Sequence, residues 1–127
     1  MTPDVPEVLA ELAQVLMRNA VPGIPDGERA ATLGLTAALL SMATESWDAA
    51  AHNLVEENRA IRALLGEDGE DGELRLSMLK GANNRLRRGL IAAHIAAELA
   101  GDQPRLDAIW AELAASTERR RLSNSPV

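Results

Sequence analysis

Large apolar residues recur at every seventh position through the middle of this chain, and this regularity constrains the fold more than any other feature. The line consists of Leu33, Leu40, Trp47, Leu54 and Ile61. Such a repeat places its members along one side of an α-helix, because two helical turns take about seven residues. The pattern predicts one helix over residues 27–65, which would be about 60 Å long at a rise of about 1.5 Å per residue.

Glycine and proline cluster at three places and divide the rest of the chain into further helical stretches rich in alanine and leucine. We predict helices over residues 5–19, 27–65, 73–100 and 103–121, and an acidic turn over residues 66–72. Short connections favour antiparallel neighbours. The predicted fold is all-α: a single domain over residues 1–127, built as an antiparallel up-down four-helix bundle. Two short outer helices flank a long central helical hairpin. Whether helix 27–65 is continuous or kinked near residues 44–48 stays open.

Composition restricts the functional classes. The 127 residues carry a formal net charge of -6 and no cysteine, which excludes disulfides, thiol nucleophiles and cysteine-bound metals. The acidic balance argues against nucleic-acid binding. The N-terminal residues lack the basic and apolar regions of a secretory signal, and no apolar run is long enough to span a bilayer. We therefore expect a cytoplasmic protein without a membrane partner.

The unequal lengths of the predicted helices indicate self-association. Two short helices cannot cover the whole of a hairpin made by two long ones. At the turn end of the hairpin we expect these apolar side chains to remain uncovered: Leu54, Val55, Ile61, Leu64, Leu65, Leu76, Leu79 and Leu86. A two-helix hairpin alone cannot bury so much apolar surface. We therefore predict a homodimer in which two such ends complete one another.

Histidines and nearby carboxylates are the candidates for a metal site: Glu45, His52, His94 and Glu98. Their spacing differs from the Glu-x-x-His pattern of di-iron bundles, and Glu45 and His52 fall on the side opposite the apolar line. A solvated face therefore explains Glu45 and His52 better than a metal site does. His94 borders an apolar stripe, where a carboxylate-bonded structural histidine is the favoured interpretation. No cofactor is predicted.

Two asparagines, Asn58 and Asn83, lie beside or within predicted apolar stripes at nearly equal height about the acidic turn. A buried amide must form hydrogen bonds or cost about 1–3 kcal/mol. We predict that the two amides form hydrogen bonds across the interface and fix helix register or oligomeric state, as buried asparagine does in coiled coils. The alternative is a polar ligand cleft formed by Asn53, Asn58, Asn83, Asn84 and Arg87.

These observations favour a non-enzymatic interaction or scaffold protein that acts as a homodimer, because the informative residues concern packing. Its expected partners are a second copy of the chain and an unidentified protein. One alternative is a small-ligand-binding bundle with an apolar pocket at Trp47, His94 and Trp110. A less favoured alternative is a metal-dependent enzyme that uses the histidine and carboxylate set.

Overall fold

A computed structural model describes residues 4–20, 22 and 26–123, and this part of the chain is helical without strands. Its four α-helices are α1 (Val5–Val15), α2 (Gly27–Leu65), α3 (Leu76–Ala100) and α4 (Gln103–Arg119). The prediction of an all-α fold is confirmed. None of these helices is long and apolar enough to cross a membrane.

The helix boundaries differ from the predicted ones at several ends. The first helix is α-helical only to Val15 and continues as a π-helical segment, Leu16–Ala20. The long helix α2 is one uninterrupted α-helix, with no break at residues 44–48. Helix α3 begins at Leu76 rather than at residue 73, so the connection from α2 spans residues 66–75. Helix α3 ends at Ala100 and is capped by Gly101, whose left-handed φ of 65° favours glycine. The predicted linker residues 23–25 lie outside the described residues.

The described residues form two compact units: the first takes the described residues up to Ala49 together with residues 122 and 123, and the second takes residues 50–121. Small residues form the buried part of the first unit, where Ala13 of α1 and Ala37 of α2 are 6% and 4% exposed. Both line a groove of about 520 Å³. Trp47, the central member of the predicted apolar line, is 51% exposed. The predicted apolar line is therefore not buried at this position.

The second unit has an aliphatic core formed by three helices. Ile61 of α2, Leu86 and Leu90 of α3, and Ile109 of α4 are each at most 5% exposed and pack together. Around them lie the half-buried side chains Leu64, Leu65, Ala93 and Leu113. Each helix therefore contributes one apolar stripe to a common core.

Contacts within the second unit show that α2 and α3 run in the same direction. Asn58 bonds to Asn83, and further along α2, Leu65 packs against the backbone of Gly89. Antiparallel pairing about the connection would instead bring Leu65 close to Leu76. Helix α4 is antiparallel to α2, because Arg105 at its start bonds to the Leu64 carbonyl and the carbonyl of Arg119 at its end accepts a bond from Asn53. The predicted antiparallel hairpin of α2 and α3 is therefore wrong.

This arrangement also changes where apolar surface remains uncovered. The expected exposed end is covered: Ile61, Leu79 and Leu86 are at most 1% exposed, and Ile61 and Leu86 pack with Ile109 of α4. The other five residues of that set are half-buried, namely Leu54, Val55, Leu64, Leu65 and Leu76. Exposed apolar surface lies instead on other faces of the helices, described below.

Candidate functional site

A buried carboxylate, Glu57, joins the three helices of the second unit. Glu57 is 2% exposed and lies between Leu54 and Ile61 on the inner side of α2. Its Oε1 accepts a hydrogen bond from Arg87 Nε of α3 at 2.7 Å, and its Oε2 accepts one from Ser116 Oγ of α4 at 3.1 Å. Arg120, immediately after α4, pairs with the same Oε2 atom. The side chain thus binds two guanidinium groups and one hydroxyl.

The partners of Glu57 keep it ionised. Burial by itself would raise the pKa of this carboxyl group. The hydrogen bond from Arg87, the amide of Asn83 and the charges of Arg120 and Arg87 outweigh that effect, and the pKa lies below its ordinary value of 4.5. Glu57 is therefore a fixed anion near neutral pH and a poor general acid. A cavity of about 190 Å³ lies beside it, with an apolar wall that includes Ile61, Leu90 and Leu113.

A second polar cluster ties the connection between α2 and α3 to the core. Asn58, 0% exposed, donates from Nδ2 to the two carboxylate oxygens of Asp71 at 3.0 and 3.2 Å. Arg62 donates to Asp71 Oδ1 at 2.6 Å, and the Arg62 and Asp71 side chains are 10% and 5% exposed. The predicted acidic turn at residues 66–72 is therefore not solvated throughout, because the carboxylate of Asp71 forms a buried ion pair.

Asn83 belongs to the same cluster. Its Nδ2 donates to Asn58 Oδ1 at 3.0 Å, and its side chain is buried at 5% exposure. The structure thus brings the two predicted asparagines together, although α2 and α3 are parallel rather than antiparallel. Their proposed role in fixing register or oligomeric state stays a prediction. The alternative prediction is a polar ligand cleft. Of its predicted members, Asn53 donates a hydrogen bond to the Arg119 carbonyl, and Asn84 is exposed.

Sequence reasoning missed several members of these clusters, although part of the signal was present. Glu57 and Ser116 are polar residues inside apolar stripes, at positions i−4 from Ile61 and i+7 from Ile109. Asn58 and Asn83 show the same pattern. The arginines carry no comparable signal, because Arg87 and Arg120 are 41% and 45% exposed and reach the carboxylate only through long side chains.

The predicted metal candidates do not form one cluster. His52 is exposed, and Glu45 accepts hydrogen bonds from the backbone and hydroxyl of Ser123 at 2.8 and 2.7 Å. His94 Nδ1 lies 3.8 Å from Glu98 Oε2. Among residues 4–20, 22 and 26–123, no group of three or more histidine, aspartate or glutamate side chains is placed to hold a metal ion.

Two members of the predicted apolar pocket lie together in the second unit. The rings of His94 and Trp110 meet edge to face, with centroids 5.6 Å apart. They line a groove of about 200 Å³ with aliphatic residues of α3 and α4, among them Ile91 and Ile95. The Nε2 atom of His94 is buried without a hydrogen-bond partner among the described residues. The third predicted member, Trp47, belongs to the first unit.

Exposed apolar side chains form ordered faces on two helices. On α1, Val5, Val8, Leu12 and Val15 are 40–48% exposed and follow helical spacing. On α3, Ile91, Ile95 and Leu99 are 61%, 52% and 86% exposed at intervals of one helical turn. Ala92 and Ala96, beside them, are also exposed. Comparison with protein-family models, curated proteins and solved structures gave no match for this chain.

Proposed function

We propose that this chain is a non-enzymatic interaction protein that works as a homodimer. The observation that carries this proposal is the exposure of large apolar side chains on every one of the four described helices. Scattered apolar residues are normal on a protein surface, whereas contiguous apolar faces mark sites of association. The faces of α1 and α3 are of the second kind, because each presents at least three large side chains at helical intervals.

The buried clusters support the proposal in a different way. Glu57 and Asp71 are each held by arginine, and their networks connect α2, α3, α4 and the segment before α3. A buried network whose polar groups are satisfied favours a single arrangement of the helices. The outer faces of those helices are therefore presented as fixed surfaces, as an interaction module requires.

Sedimentation of the full chain tests the proposal. We expect a species of twice the 13.6 kDa chain mass in the micromolar range, with a dimer fraction that falls on dilution, because association is concentration-dependent. A species of single-chain mass at every concentration would overturn the proposal.

A second candidate function is the binding of a small apolar ligand in the groove at His94 and Trp110. The groove of about 200 Å³ is of the size class of a cavity of about 150 Å³ that binds benzene. Toluene titration of a Trp47→Phe variant should then change the emission of Trp110 with saturation. The matched Trp110→Phe variant, which retains Trp47, should show no saturable change. A linear response in both variants would exclude this candidate.

A further inference from the structure

We propose that the cavity beside Glu57 binds a small carboxylate with an apolar body, such as a short-chain fatty acid. The Arg87 guanidinium holds the carboxylate, and the aliphatic wall of the cavity covers the rest of the ligand. The site lies within residues 50–121 and goes beyond the proposed function, because it does not depend on self-association. Three features support it: the size and wall of the cavity, the charge balance around it and the position of Arg87.

The cavity has the size and the wall of a small-ligand site. Its volume is about 190 Å³, and its aliphatic side includes Ile61, Leu90 and Leu113. A cavity of about 150 Å³ holds benzene, so a chain or ring of about six carbons fits here. Glu57 and Arg87 line the same cavity, which therefore combines an apolar wall with a few polar groups, as ligand pockets do. A ligand that fills it needs an apolar body and one polar end.

The charges around the cavity favour an anion as that polar end. Two carboxylates line the cavity, those of Glu57 and Glu112. Three guanidinium groups pair with them: Arg87 and Arg120 with Glu57, and Arg119 with Glu112. This cluster therefore carries one more positive charge than negative charges. A bound carboxylate balances the excess, whereas a bound ammonium group increases it.

Arg87 is placed to bind the anion. Its Nε atom donates to Glu57 Oε1 at 2.7 Å, which holds the planar guanidinium at the cavity. Its two Nη groups have no hydrogen-bond partner among residues 4–20, 22 and 26–123, and its side chain is 41% exposed, so a ligand can reach it from solvent. Arginine binds a carboxylate through two parallel N–H···O bonds. Glu57 is thus the positioning residue and Arg87 the binding residue.

Probes that share a six-carbon chain but differ in their polar end test the chemistry of the site. Hexanoate, hexanol and hexylamine are each titrated into the isotope-labelled natural chain at neutral pH, and the backbone amides are followed by NMR. Hexanoate should give saturable shifts at Arg87, Leu113 and Ser116, which line the cavity. The Kd of hexanol should be about tenfold higher, because it lacks the charge-assisted bonds to the guanidinium. Hexylamine should bind more weakly than hexanol.

Variants of two neighbouring arginines test the binding residue. Arg87→Gln should raise the Kd of hexanoate about tenfold and leave the Kd of hexanol nearly unchanged. Arg88→Gln is the matched control and should bind both probes as the natural chain does, because Arg88 is exposed and lies outside the cavity lining. Arg87→Lys should recover only part of the affinity, since an ammonium group lacks the planar fork of arginine. Urea unfolding of each variant verifies that it is folded.

Four results would overturn the carboxylate site. The first is the absence of saturable shifts with hexanoate, or shifts confined to the Trp110 indole in the neighbouring groove. The second is a Kd that is equal for the three probes or lowest for hexylamine. The third is an unchanged hexanoate Kd in folded Arg87→Gln. The fourth is tighter binding of acetyl-leucine than of hexanoate, which would identify the C-terminal carboxylate of a peptide as the occupant instead of a free acid.

Discussion

Glu57→Ala is expected to lower the free energy of unfolding by about 3 kcal/mol, as breaking a buried ion pair does. The substitution removes the acceptor shared by Arg87, Ser116 and Arg120. Ser116 is 5% exposed and would lose its carboxylate partner. The two arginines are partly exposed and can turn toward water, which holds the expected loss at the lower end of the range for buried pairs.

The measurement is urea unfolding followed by Trp110 emission in a Trp47→Phe background, because Trp110 reports on residues 50–121. The neighbouring Glu56→Ala is the matched control. Glu56 pairs with Arg59 at the surface, so its loss should change the unfolding free energy by less than about 0.5 kcal/mol. Equal effects of the two substitutions would show that the Glu57 network does not stabilise the unit.

The Glu57 carboxylate also makes the free energy of unfolding depend on pH. The pKa of Glu57 is lowered in the folded chain from its ordinary value of 4.5. Its ionised form therefore contributes stability that is fully present above that ordinary pKa and is lost as the pH falls through the folded pKa. The stability difference between the natural chain and Glu57→Gln should be constant near neutral pH and shrink in acid. A difference that stays unchanged down to pH values well below 4.5 would contradict the assignment.

The sequence was sufficient to predict the helices because their signals are local. Leu54 and Ile61 repeat with the helical period, and Gly101 marks the end of α3. The relative direction of α2 and α3 was not predictable from such signals. It depends on residues 66–75, and their acidic composition is equally compatible with a solvated turn and with a segment that returns along α2. Tertiary contacts distinguish the two, among them the bonds of Asp71 to Arg62 and Asn58 and the bond between Asn58 and Asn83.

The candidate site was predictable to a similar extent. Polar residues within an apolar stripe indicate buried hydrogen bonds, and this pattern marks Asn58 and Asn83. The same pattern marks Glu57 and Ser116. It could not have supplied Arg87 or Arg120, since a long side chain on a partly exposed position bonds to whatever the tertiary structure places within reach. Which group such a side chain reaches depends on how the helices pack, and not on the spacing of residues in the sequence.

The segment between α2 and α3 provides the second large expected effect. Asp71→Ala should lower the free energy of unfolding by about 3–5 kcal/mol, because it leaves a buried arginine without its counter-ion. Arg62 would lose the partner of its 2.6 Å bond, and Asn58 would lose both of its bonds to the carboxylate. Asp71→Asn keeps an oxygen acceptor at the same place and should lose less.

Asp68→Ala is the control within the same segment, because Asp68 is exposed and its loss should change stability by less than about 0.5 kcal/mol. Hydrogen exchange of the backbone amides of residues 67–75 gives the local readout. We expect faster exchange there in Asp71→Ala than in Asp68→Ala, since the ion pair anchors the segment to α2. Parallel packing of α2 and α3 requires this segment to run back along α2, so its anchor also determines where α3 begins. If Asp71→Ala matches Asp68→Ala in both stability and exchange, the core of Ile61, Leu86 and Ile109 orients α3 without help from the ion pair.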